Sequence, residues 1–229
     1  MQSRGTNVSP MRTLWDRAHS LLKEINVAAE GNGNPAAVGL AGFGITTLLL
    51  QFHNLGLCGS GVVFCTALFY GGLAQFIAGF QEYKAGNNFG YSAFTAYGAF
   101  WMALAFIFLD LGMPAGFLGG ALKINFPTDV GYFLLAFTVY TAIMFFCSLA
   151  VHTAMVFTFL TLLLGFIGLD LVTLAGMNVM KITAIDLIIC AGCALYMMAH
   201  VVCLQVYGRD VLPVGQPWVK KPMAAAAAH

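Results

Sequence analysis

Charge is what this sequence lacks. Only 8% of its 229 residues are ionisable Asp, Glu, Lys or Arg, where soluble domains carry about 25%. A water-facing surface cannot be built from so few charged groups, so a soluble globular protein is excluded. The formal net charge of +1 offers no basic surface, and no nucleic-acid partner is expected. The six cysteines form no disulfide or zinc pattern. Cys190-Ala-Gly-Cys193 has the Cys-x-x-Cys spacing, but no second pair or His-x-x-His accompanies it, so packing as small hydrophobes is the reading. No carboxylate sits at the centre of an apolar run, which argues against a mid-membrane proton relay. There is no nucleophile elbow, phosphate loop or dinucleotide fingerprint. Neither an enzyme nor a cofactor is expected, and no metal site is expected either. The first 30 residues hold no long apolar core, so no cleavable signal peptide is read there.

What is present is apolar. Hydrophobic residues make up 60% of the chain, with a mean hydropathy of +0.84. Six runs are long enough to span a bilayer, which needs about 20 residues: 36–55, 60–81, 89–112, 129–150, 153–175 and 182–206. They are solid blocks rather than alternating segments, which argues against a β-barrel. The fold class expected is an all-α integral membrane protein with six transmembrane helices. With six spans, both termini share a side. That side carries Arg4, Arg12, Arg17, Lys23, Lys84, Arg209, Lys220 and Lys221, against Lys123 and Lys181 on the other. The positive-inside rule then puts both termini in the cytoplasm of a protein in the cell membrane.

The ends differ from the body. Residues 1–9 read as a flexible N-terminus. Residues 10–29 place Met11, Leu14, Trp15, Ala18, Leu21, Leu22 and Ile25 on one stripe and charges on the other, as an amphipathic helix lying in the membrane interface would. Residues 33–215 read as the six-helix transmembrane domain. Residues 216–229 are a C-terminal tail, whose closing KPMAAAAAH reads as an appended remnant.

The first span opens the body as NPAAVGLAGFGITTLLLQFHN, residues 34–54. Asn34 is expected to cap the helix and Pro35 to fill its first position. The positive end of that helix dipole would favour a small anion at the mouth; capping alone is the simpler account. Gly39, Gly42 and Gly44 allow a close helix approach. Inside the spans the polar groups are neutral, among them Thr46, Thr47, Gln51, Asn54 and Gln75. Gln51, Asn54 and Gln75 are candidates for a solute-binding polar patch, since amides donate without adding a buried charge. Neutral polar groups among 20 Phe and 8 Tyr suit a narrow path for a small, weakly polar solute. Each of them also fits plain packing between helices.

That first stretch, with FYGGLAQFIAGFQEYKAGNNFGYSAFTAYGAFW (69–101) and YGRDVLPVG (207–215), resembles the acetate uptake transporter family, which includes the succinate–acetate permeases. The similarity covers about residues 33–215. The usual family motif Asn-Pro-Ala-Pro-Leu-Gly-Leu is altered here by Ala37 and Val38. The resemblance implies a six-helix protomer with its own pore, assembled as a hexamer. It implies uptake of acetate and related short monocarboxylates, with succinate for some members, by proton symport or a channel-like route. It also implies a pore constriction of Phe43, Tyr97 and a leucine of span five, here taken as Leu160. A urea or amide channel of related architecture, or a non-transporting acetate or ammonium sensor, stays open beside this reading.

Overall fold

A computed structural model describes residues 33–113, 116 and 122–220. The stretches 1–9 and 10–29 lie outside the described residues, as does the end of the tail from 221. Among the described residues, six helices are long and apolar enough to cross a membrane: α1 (Ala36–Asn54), α2 (Ser60–Lys84), α3 (Asn88–Gly112), α4 (Thr128–Ser148), α5 (Thr153–Thr173) and α6 (Met180–Tyr207). The apolar runs of the sequence reappear with ends shifted by up to three residues, the longest shift carrying α2 on to Lys84.

Local chemistry sets the ends. Pro35 has helical angles (φ −65°, ψ −21°), and its carbonyl accepts from the N–H groups of Val38 and Gly39. The regular helix starts one residue later, at Ala36; a one-residue difference of this kind is ordinary at helix ends. Asn87 caps α3 by accepting from the Gly90 N–H at 3.1 Å. His152 caps α5 through Nδ1, which accepts from the Met155 N–H at 3.2 Å. α6 stops at Gly208, whose φ of 65° is left-handed, a conformation open to glycine without a Cβ penalty.

α2 is not uniform. Residues Phe69–Ala74, FYGGLA, widen into a π-helical turn. The turn meets α1 at a point where both backbones come close. A Cβ on Gly42 would stand 2.6 Å from the Tyr70 carbonyl oxygen, and one on Gly71 would stand 2.5 Å from Thr46 Oγ1. Small residues at a membrane helix crossing serve this approach.

The helices close into a ring. α1 packs against α6 and α2, α5 against α4 and α6, and α2 against α3, while α3 and α4 scarcely meet through their backbones. Side chains fill that seam. Phe100 of α3 stacks on Phe133 of α4 with centroids 5.2 Å apart, and meets Phe137 edge-on at 4.8 Å. The Tyr140 hydroxyl of α4 donates to the Ser92 carbonyl of α3 at 2.8 Å.

After α6 the chain folds back over α5. Ala154 N–H donates to the Val214 carbonyl at 2.9 Å, and Trp218 and Val219 N–H groups both donate to the Leu149 carbonyl. Thr153 donates to the Gln216 carbonyl, and Trp218 Nε1 donates to Thr153 Oγ1. This bonded segment continues past residue 215 to Val219.

Candidate functional site

Inside the ring lies a narrow cavity of about 20 Å³, room for roughly one water-sized sphere. Its walls come from alternate helices: Phe43, Thr47, Leu50 and Gln51 of α1, Tyr97, Phe100 and Trp101 of α3, and Leu162, Phe166 and Leu169 of α5, with Leu187 of α6. On α1 the spacing 43–47–50–51 is one helical face. Phe43 and Tyr97 meet with ring centroids 5.8 Å apart. Phe159 and Tyr140 close around the same phenol, at 6.3 Å and 5.7 Å.

The leucine of this group is Leu162. Leu160, expected at this place, is half-buried and absent from the lining, whereas Leu162 is buried and part of it. Two residues along an α-helix turn the side chain by about 200°, so the two leucines face nearly opposite ways from α5.

Three wall residues carry buried polar atoms without a hydrogen-bond partner: Thr47 Oγ1, Gln51 Nε2 and Trp101 Nε1. Buried polar groups are nearly always bonded, so these three atoms stand out, although the surface facing the cavity is carbon. Gln51 and Trp101 supply N–H donors, and Thr47 a hydroxyl. Asn54 supports the arrangement from one turn away, since its Nδ2 donates to Gln51 Oε1 at 2.9 Å. That bond occupies the amide's acceptor end and leaves its donor end open.

Gln75 and Thr46 lie elsewhere. Both are fully buried and neither lines the cavity. Thr46 faces Gly71, and the Gln75 Cβ lies 3.3 Å from the point a Cβ on Gly42 would occupy. They belong to the α1–α2 crossing, on the neighbouring face of α1. Their free polar atoms, Thr46 Oγ1 and both ends of the Gln75 amide, sit beside the π-turn. The patch expected from Gln51, Asn54 and Gln75 is thus divided between two faces of one helix. Asn34 is exposed. Trp101 was missed in the sequence. It stands four residues after Tyr97, hence on the same face of α3, and that spacing could have found it.

The hydroxyl of Tyr97 is committed. It lies 2.8 Å from Thr141 Oγ1, and Thr141 Oγ1 donates to the Phe137 carbonyl at 2.6 Å. Thr141 has one hydroxyl hydrogen, spent on that carbonyl, so the phenol donates to Thr141. Its remaining capacity is as an acceptor.

Six membrane-crossing helices around a narrow, mostly apolar cavity with a few unpartnered polar groups define a multi-pass channel or transporter. Residues 22–207 match the family described as GPR1/FUN34/yaaH, and the chain belongs to that family. The match reaches into the 10–29 stretch, further than the resemblance read from the sequence. Over 185 residues, 80% of this chain and 95% of the relative, it is 39% identical to the succinate-acetate/proton symporter SatP of Escherichia coli. It is 36% identical over 152 residues to acetate permease A of Emericella nidulans, covering 62% of this chain and 50% of that one. A solved structure of the bacterial acetate channel SatP superposes with a TM-score of 0.73 at 36% identity, covering 80% of this chain and 99% of that one.

Proposed function

We propose that this protein carries acetate and related short monocarboxylates, with succinate as a further candidate, across the cell membrane, and that the solute passes the ring of Phe43, Tyr97 and Leu162 as the neutral acid. The observation that carries this is the committed phenol. With its hydrogen held by Thr141, Tyr97 offers the passage lone pairs. These accept the O–H of a carboxylic acid and repel a carboxylate. Phe43 and Leu162 offer neither charge nor donor. An ionised group at a helix centre costs about 2.5–3.5 kcal/mol on insertion scales, and nothing in this ring offsets that. Beyond it, Thr47, Gln51 and Trp101 supply donors for the acid's carbonyl oxygen.

The charge distribution supports termini in the cytoplasm, which puts the start of α1 at the inner mouth. The family resemblance supports a hexamer of protomers, each with its own passage, which native mass spectrometry would test. The bilayer and the solute are then the partners, with protons travelling on the acid.

The test is uptake of radiolabelled acetate into proteoliposomes, corrected for leak through protein-free vesicles. A carboxyl group with a reference pKa of about 4.3 gains neutral form roughly tenfold per unit of pH lowered. Flux at fixed total acetate should rise steeply as external pH falls from about 7 to about 5, and an imposed voltage should leave it unchanged. A voltage-driven acetate current with little pH dependence would show the anion crossing. Passage of urea with indifference to acetate would favour an amide channel, and binding without flux would favour a sensor.

A further inference from the structure

One carboxylate is almost wholly buried where the start of α1, the end of α2 and the start of α3 come together. Glu82 is 3% exposed, yet no lysine or arginine pairs with it among the described residues. Its Oε2 accepts from Asn87 Nδ2 at 2.6 Å. The same Asn87 caps α3 through its other amide atom. The carboxylate packs on Gly90, where an added Cβ would stand 2.8 Å from Oε2. It also faces the backbone N–H of Ala36, the first residue of α1. Its second oxygen, Oε1, has no hydrogen-bond partner.

Two helix N-termini therefore converge on one glutamate. A helix start is an anion site, and at α1 the chain's own carboxylate holds that place. A second carboxylate arriving there meets a like charge, and two carboxylates sharing one site cannot both stay ionised. Among the described residues, the groups facing Glu82 add no compensating charge: the Ala36 N–H from α1, and the Asn87 amide and Gly90 backbone from α3. On α2 itself Lys84 is the nearest charged neighbour in sequence, and it is exposed.

We propose that Glu82 is the proton acceptor at the inner mouth, where it takes the proton from the arriving acid and yields the α1 N-terminus to the solute anion. This rests on the transport reading above. The step balances: Glu82 carboxylate plus R–COOH gives Glu82 carboxyl plus R–COO⁻. The O–H bond of the acid breaks and one forms on Glu82. The site's net charge changes by nothing when a neutral acid enters. The protonated glutamate then has a hydrogen to donate, and the anion receives the Ala36 N–H. The exchange runs backward for efflux.

The test is calorimetric titration of the purified protein with acetate at neutral pH, in buffers of different ionisation enthalpy, which counts protons taken up on binding. The wild type should take up a proton with each acetate bound. Glu82→Gln should bind acetate with that uptake lost, and Glu82→Asp, still an acid, should restore it. Unchanged uptake in Glu82→Gln would overturn the assignment, because the proton would then stay on the solute. Infrared difference spectra of the wild type need no variant. Isotopically labelled acetate shifts the solute's own bands, so a protonated-carboxyl band at the unlabelled position belongs to the protein. Its appearance on acetate binding supports the exchange and its absence refutes it. Absence of acetate flux in the wild type would sink the transport reading itself. Flux with unchanged proton uptake in Glu82→Gln sinks only the role of Glu82.

Discussion

At the scale of single residues, Leu162 lines the cavity inside the ring of helices and Leu160 does not. Leu162→Ala should widen the ring and admit acids larger than acetate, read as the ratio of butyrate to acetate uptake. Leu160→Ala should leave that ratio at the wild-type value. Equal selectivity changes in both variants would place the ring elsewhere. Trp101 and Gln51 have a different part. Each carries a buried N–H without a partner in a residue that lines the cavity, so substituting either should change how strongly acetate is held more than which acid is admitted, read as acetate affinity beside the butyrate-to-acetate ratio.

At the scale of elements, α5 depends on a histidine in its neutral form. The His152 Nδ1 that accepts from Met155 cannot do so when protonated. Burial, and then the nearby His200, hold its pKa below the ordinary histidine value. The unfolded chain takes up this proton near pH 6.5, and the folded chain only at lower pH. Stability from this cap is therefore full above about pH 6.5 and is lost as pH falls through the folded value. His152→Ala should lower stability by about 1 kcal/mol at neutral pH, a usual figure for a lost N-cap. His152→Asn should keep the cap and flatten this part of the pH dependence, measured by thermal unfolding in detergent at a series of pH values. The helices themselves were legible because each is one uninterrupted apolar run. Their rotation was not. A span faces lipid on one side and protein on the other, both apolar, so periodicity gives little sign of which side looks inward. Sequence alone therefore does not separate Leu160 from its neighbours on α5, or the face of Gln75 from that of Gln51. Phe43 and Tyr97 came from the family motif, and the structure brings their rings together. The π-turn in FYGGLA left only its paired glycines as a sign, and those also fit simple close packing.

At the scale of the whole molecule, the ring of helices closes in two different ways. α1 and α6 meet along extended backbone surfaces, whereas α3 and α4 are kept apart and joined by Phe100, Phe133, Phe137, Tyr97 and Tyr140. The narrow ring borders that second joint, since Tyr97 bonds across it to Thr141. The six-helix body is thus a clasp whose catch is made of flat plates. Plates of this kind can swivel about their own bonds while the arms stand still. A small acid would slip through by successive ring turns, without the rocking of half the protein that an alternating carrier requires. In a bilayer held above its melting point, initial uptake should then climb only gently with temperature, and a steep climb would mean that the arms themselves must part.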